Sequence, residues 1–248
     1  MRRVLSILLL ALLSCVGTAN ASLVTVYVAQ TAAGVADGTS CANAYAATFY
    51  NGAGNWGTGA SQIGAGTTVH LCGTITSQLL TQGSGSAGNV LTIAFEVDAK
   101  LSVPYCASTG CLKTQNLSYV MVDGGTNGII ENTANGTGLA NQQPSVGVYA
   151  IECNHCEFKN LLIRNIYVHT SLSDITIDYS QVNCISFTGV SVLIHNNTCH
   201  DAGWGLYMAY YPANGPVEIY QNDIYNSSHG ITIGGSGTNN VTTVKIYN

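Results

Sequence analysis

The sequence predicts an all-β solenoid, a parallel β-helix whose coils run to about 25–31 residues. Three observations carry this expectation. One unit recurs along the second half of the chain. Each copy holds short segments such as Val217-Glu218-Ile219 and Ile231-Thr232-Ile233, whose alternating apolar residues fall on one face of a strand. Between these segments lie Gly, Asn, Ser and Asp, which turn the chain, in a protein with only 8% charged residues. Such strands bury their apolar face only when each copy stacks on the one before it.

The copies align best at a shift of 25. That shift sets Val192-Leu193-Ile194 on Val217-Glu218-Ile219, Asn197 on Asn222, Trp204 on His229, and Leu206-Tyr207-Met208 on Ile231-Thr232-Ile233. A shift of 31 sets Ile163 under Ile194, His169 under His200, Cys153 under Cys184, and Ile175-Thr176-Ile177 under Leu206-Tyr207-Met208, with a loop expected within 170–181. Val244-Lys245-Ile246 opens a further copy 27 residues after Val217, and the chain is expected to break off in mid-coil at Asn248. Gly205 and Gly230 are predicted corners, with the rings before them stacked on neighbouring rungs. Asn197 and Asn222 are predicted to form an internal ladder that satisfies turn backbone groups. A β-propeller fits less well, because its blades need about 40 residues or more. Upstream, Val69-x-Leu71, Leu91-x-Ile93 and Tyr119–Val122 read as strands and Asp123-Gly124-Gly125 as a turn.

Residues 1–21 read as a secretory leader: Arg2 and Arg3 precede an apolar run, and Ala19-Asn20-Ala21 offers a cleavage site. The run from Val4 to Val16 is short for a membrane span. Leu12-Leu13-Ser14-Cys15 makes a poor lipoprotein box, so anchoring at Cys15 is the less favoured alternative. Residues 22–248 then form a single domain without a linker. Its basic residues are Lys100, Lys113, Lys159, Arg164 and Lys245, against twelve acids in the chain, which excludes the basic surface that nucleic acid requires. Cys41, Cys72, Cys106, Cys111, Cys153, Cys156, Cys184 and Cys199 are even in number, which in an exported chain favours disulfides. Cys106 with Cys111 and Cys153 with Cys156 are near enough to pair. A metal knuckle at Cys153-Asn154-His155-Cys156 lacks a second ligand pair.

The segment YVAQTAAGVADGTSCANAY, Tyr27 to Tyr45, followed by IGAGTTVHLCGTI, Ile63 to Ile75, resembles the opening of secreted right-handed parallel β-helix proteins of the pectate-lyase-like superfamily. Ala65 and Thr67 stand where that superfamily usually has Pro and Asp. The resemblance implies a right-handed coil and an extracellular polysaccharide as partner. It does not select a reaction, since the superfamily holds lyases, hydrolases, epimerases and non-catalytic surface proteins.

Two catalytic patterns bear on these residues. A lyase neutralises a uronate carboxylate, usually with calcium held by several acids, and abstracts the adjacent proton with a positioned base. Arg164 is the one arginine beyond the leader, and no acid cluster adjoins it in sequence. A hydrolase of polygalacturonase type needs two opposed carboxyl groups. SSHGITIGGSG, Ser227 to Gly237, resembles its Gly-His-Gly segment at His229-Gly230, but Trp204-Gly205 stands where that family has paired aspartates, with Asp174 and Asp178 the acids one rung earlier.

The resulting expectation is a secreted, monomeric β-helix acting on extracellular polysaccharide as a lyase or glycoside hydrolase. Asp174, Asp201, His200 and His229 are its candidate catalytic residues, and His169, Arg164, Trp204 and Tyr207 its candidate substrate contacts, with Tyr210 and Tyr211 nearby. Arg164, His195 and Tyr220 are assigned to one outward column. No resident metal site is assigned; calcium enters only with the lyase reading. The competing expectation is an adhesin or matrix module that binds sugar without chemistry, with the rings as ordinary structural stacks and His70 and His155 as structural residues.

Overall fold

A computed structural model describes residues 24–171, 173–174, 181–208, 216–234 and 243–248. Residues 1–21, expected to be a leader, and Ile175-Thr176-Ile177, Asp178, Tyr210, Tyr211 and Gly235–Gly237 lie outside the described residues. The rest is a mostly β, parallel solenoid. Thr25–Ala29, Thr68–Leu71, Leu91–Phe95, Val120–Asp123, Glu157–Lys159, Val192–His195, Val217–Tyr220 and Val244–Tyr247 pair in that order, with Tyr45–Ala46 at the first edge, as a nine-stranded sheet. Every pairing in it is parallel.

The reason is visible in one inward column. Val26, Val69, Ile93, Val122, Phe158, Ile194 and Ile219 stand in register on successive strands, and all are buried. Each rung lies about 4.8 Å from the next, so one apolar residue per rung makes a continuous core.

The second sheet runs up the other side. Thr74–Ile75, Lys100–Val103, Ile129–Asn132 and Leu162–Arg164 lead to the first residues of the long strand Thr198–Met208. Leu79–Leu80, Leu112–Lys113, Ser145–Ala150 and Val182–Phe187 lead to its last residues. Asp223–Ile233 then pairs with nearly the whole of Thr198–Met208.

The register confirms the shifts of 25 and 27 and corrects the shift of 31. Ile194 stands on Phe158 and Cys199 on Ile163, a step of 36. Arg164 therefore stands under His200, and His169 does not. His195 and Tyr220 share their column with Lys159 in the other sheet, not with Arg164. Loops such as 133–144 absorb the variation between rungs, and a loop carries no apolar period that would reveal its length.

The corners also differ from expectation. Asp201 and Asn226, at φ 54° and 49°, adopt the left-handed conformation that Asp and Asn tolerate best among residues with a Cβ. Gly205 lies inside a strand, where a Cβ would meet Ile224 Cγ2 at 2.5 Å and the Gly230 carbonyl oxygen at 2.6 Å. Glycine is needed there for close approach rather than for a turn.

The asparagine ladder is present. Asn197 Nδ2 donates to the Phe158 carbonyl at 3.0 Å and to Asn222 Oδ1 at 2.9 Å, and Asn197 Oδ1 accepts from the Leu161 amide. Four disulfides join Cys41–Cys72, Cys106–Cys111, Cys153–Cys156 and Cys184–Cys199, so the Cys153-Asn-His-Cys156 segment is a disulfide loop. His70 and His155 stack on Tyr27 and Tyr119. Among the described residues no helix is long and apolar enough to cross a membrane.

Candidate functional site

One outward column of the second sheet collects polar chemistry. Ser102, Glu131, Arg164, His200 and Tyr225 follow one another in register on five successive strands. The first three strands end at Val103, Asn132 and Arg164, whereas His200 and Tyr225 lie in the long strands Thr198–Met208 and Asp223–Ile233, each just before a left-handed residue, Asp201 and Asn226. Adjacent members of the column are therefore about 4.8 Å apart.

Glu131 divides its carboxylate between two partners. Ser102 donates its hydroxyl to Oε1 at 2.8 Å, and Arg164 donates Nε to Oε2 at 2.8 Å, with a second guanidinium nitrogen 2.7 Å away. Burial pushes the Glu131 carboxyl up, but the Ser102 hydroxyl, the Arg164 bond and charge, and Lys100 together hold it below the ordinary carboxylate range. The Arg164 side chain is 35% exposed, so one edge of the guanidinium is fixed and the rest faces outward.

His200 is oriented as firmly. Its Nδ1–H donates to Asp201 Oδ2 at 2.6 Å, and the Asp201 carboxylate also accepts from Asn226 Nδ2. Tyr225 covers the imidazole face at 4.7 Å between centroids and an interplanar angle of 11°. With Nδ1 carrying the proton, the neutral ring presents its Nε2 lone pair, which has no partner among the described residues. An imidazole of fixed tautomer beside a guanidinium can take a proton from a carbon whose neighbouring carboxylate the guanidinium holds.

His169 reaches this group from its own loop, donating Nε2–H to the Asn226 carbonyl at 3.2 Å. Asp174 does not join it as a free acid. It accepts from the Thr170 hydroxyl and amide and the Ser171 amide, and the Thr170 hydroxyl bond is the main cause that lowers its carboxyl below the ordinary value. Its other oxygen, Oδ1, is buried with no hydrogen-bond partner among the described residues. Trp204, Tyr207 and His229 form a second patch further along the same strands, where Trp204 meets Tyr207 edge-on at 4.5 Å and His229 at 5.3 Å. The rings before the two glycines thus meet at 65° rather than stacking in parallel. The Trp204 indole N–H is buried with no hydrogen-bond partner among the described residues.

Both oxygens of Asp201 and Glu131 and one oxygen of Asp174 accept from neighbouring donors, and among the described residues no three His, Cys, Asp or Glu side chains form a group that could hold a metal ion.

Sequence reasoning missed Glu131 and Ser102. The available signal was the pattern Ile129-Ile130-Glu131-Asn132 repeated as Leu162-Ile163-Arg164-Asn165, which sets the acid beneath the arginine across 33 residues. Compared with known proteins, the chain matches no family model, no curated protein and no solved structure.

Proposed function

We propose that the protein is a secreted right-handed parallel β-helix that cleaves an acidic extracellular polysaccharide by elimination, with Arg164 and His200 as its catalytic residues. The observation that supports this best is their juxtaposition: an anchored guanidinium and an oriented imidazole are neighbours in register on one outward face. The four disulfides and the leader-like first 21 residues support the extracellular setting.

In this reading the exposed N–H groups of Arg164 receive the uronate carboxylate and stabilise the charge that builds on it. His200 Nε2 removes the proton from the carbon next to that carboxylate, and Asp201 stabilises the imidazolium that forms. The carbon–carbon double bond forms as the glycosidic carbon–oxygen bond breaks, and the departing oxygen takes a proton from water. Tyr225, 49% exposed, offers a ring against which a sugar can lie.

Hydrolysis is the weaker alternative, because it needs an opposed acid and base, and the Glu131 and Asp201 carboxylates are held by fixed hydrogen bonds to neighbouring side chains. A binding module without chemistry is favoured by one observation, the ring stack His195–Tyr220–Tyr247 on the other sheet, which shows that rings also serve as structural ladders here. Incubation with a panel of uronate and neutral polysaccharides separates the three. Unsaturated ends signify elimination, reducing ends without unsaturation signify hydrolysis, and retention without cleavage signifies binding alone.

A further inference from the structure

A cavity of about 330 Å³ opens at the start of the same outward column, next to Ser102. Its walls are Pro104, the Tyr105 ring, and the Cys106–Cys111 disulfide, with Gln78 and Asn141 at the rim. The following coil fixes its place: the Thr133 and Ala134 amides donate to the Val103 and Pro104 carbonyls at 2.8 and 2.9 Å, and Asn132 Oδ1 accepts from the Cys106 amide at 2.6 Å. Val103 and Ile163 are thus separated by the strand Ile129–Asn132, which puts the cavity two rungs from Arg164 and three from His200, about 14 Å along the solenoid.

The lining differs in kind from the Arg164 site. None of the residues around the cavity is charged. Tyr105 is 39% exposed, so its ring is accessible from the cavity mouth. Gln78 spends its amide N–H groups on the Thr109 and Gly110 carbonyls, and Asn141 donates to the Ala134 carbonyl. Their side-chain oxygens have no partner among the described residues, so both are free to accept from hydroxyl groups. An apolar ring and disulfide with uncharged acceptors at the rim match a sugar that shows an apolar face and hydroxyl edges, and offer no cation to a carboxylate.

We propose that this cavity is a distal subsite for a neutral sugar unit, so that the polysaccharide bound at Arg164 contains neutral as well as uronate residues. The inference rests on the function proposed above, whose polymer would extend along the column from one site to the other.

The test is calorimetric binding of two octasaccharides, one of galacturonate alone and one alternating galacturonate with rhamnose, to the whole protein. The alternating octamer is expected to bind about tenfold more tightly, as one aromatic–sugar contact would provide. Tyr105→Ala should abolish that preference and leave the affinity for the homo-uronate octamer unchanged, and Tyr105→Phe should retain it. Arg164→Ala should weaken both. Equal affinities in the wild type, or a preference that survives Tyr105→Ala, would overturn the subsite while leaving the Arg164 site standing. A wild type that binds neither octamer would overturn both.

Discussion

Glu131 and Arg164 stand side by side on consecutive rungs, 33 residues apart in the chain, joined by a guanidinium–carboxylate bond of 2.8 Å. The carboxylate side chain is 9% exposed and the guanidinium side chain 35%, so the pair lies between a surface ion pair and a buried one. Replacing Glu131 with Ala should therefore cost about 1–3 kcal/mol of stability, above the usual surface value and below that of a fully buried pair. Activity should fall further than stability explains, because Arg164 loses the contact that sets its orientation. Comparing denaturation midpoints with turnover in the Glu131→Ala and Glu131→Gln variants checks both parts.

The same pair predicts a pH dependence. The folded Glu131 carboxyl titrates below its unfolded value, so its contribution is complete above the ordinary glutamate pKa of about 4.3 and is lost as pH falls through the folded value. Glu157 behaves alike: burial pushes its carboxyl up, and the Lys159 and His195 contacts more than offset that. The stability difference between wild type and Glu131→Gln should accordingly shrink as pH is lowered from about 6 to about 3. Urea titrations across that interval would show it, and a constant difference would refute the assignment.

Asn197 should be the most sensitive ladder position. Its amide serves the Phe158 carbonyl, the Leu161 amide and Asn222, and it is buried. Asn197→Ala leaves two buried backbone groups without partners and is expected to cost about 3 kcal/mol or more. Asn222→Ala should cost less, because Asn222 is part-exposed at the last asparagine rung. Thermal unfolding of the two variants tests the ranking.

The disulfides should contribute according to the loops they close. Cys41–Cys72 and Cys184–Cys199 span 31 and 15 residues, and each should stabilise the fold by about 3–4 kcal/mol. Cys153–Cys156 spans three and should contribute about half of that. Paired Cys→Ser variants, unfolded under non-reducing conditions, measure the difference.

What could be read in advance follows from how each feature is written in the chain. The parallel solenoid was legible because Val192-x-Ile194 and Val217-x-Ile219 repeat an inward pattern at a shift of 25, and the Asn197–Asn222 ladder sits at a fixed offset from them. The step of 36 was not legible, since His169 and Val168 match His200 and Cys199 in type at a step of 31 while the strand pairs Arg164 with His200. Four of the eight candidate site residues, His169, Arg164, His200 and Asp201, gather around one corner. Glu131 was overlooked as a partner because an ion pair across a coil leaves no local motif, only the four-residue echo of Ile129–Asn132 in Leu162–Asn165, whose register the structure supplies.

The most direct measurement is ultraviolet absorbance of unsaturated ends during incubation of the mature protein with uronate polysaccharides, beside the Arg164→Ala and His200→Ala variants. The account predicts unsaturated product from the wild type without added calcium, and a loss of at least about a hundredfold in each variant, both remaining folded. Unsaturated product that persists in His200→Ala, or a folded wild type that forms none on any uronate polymer, would contradict it.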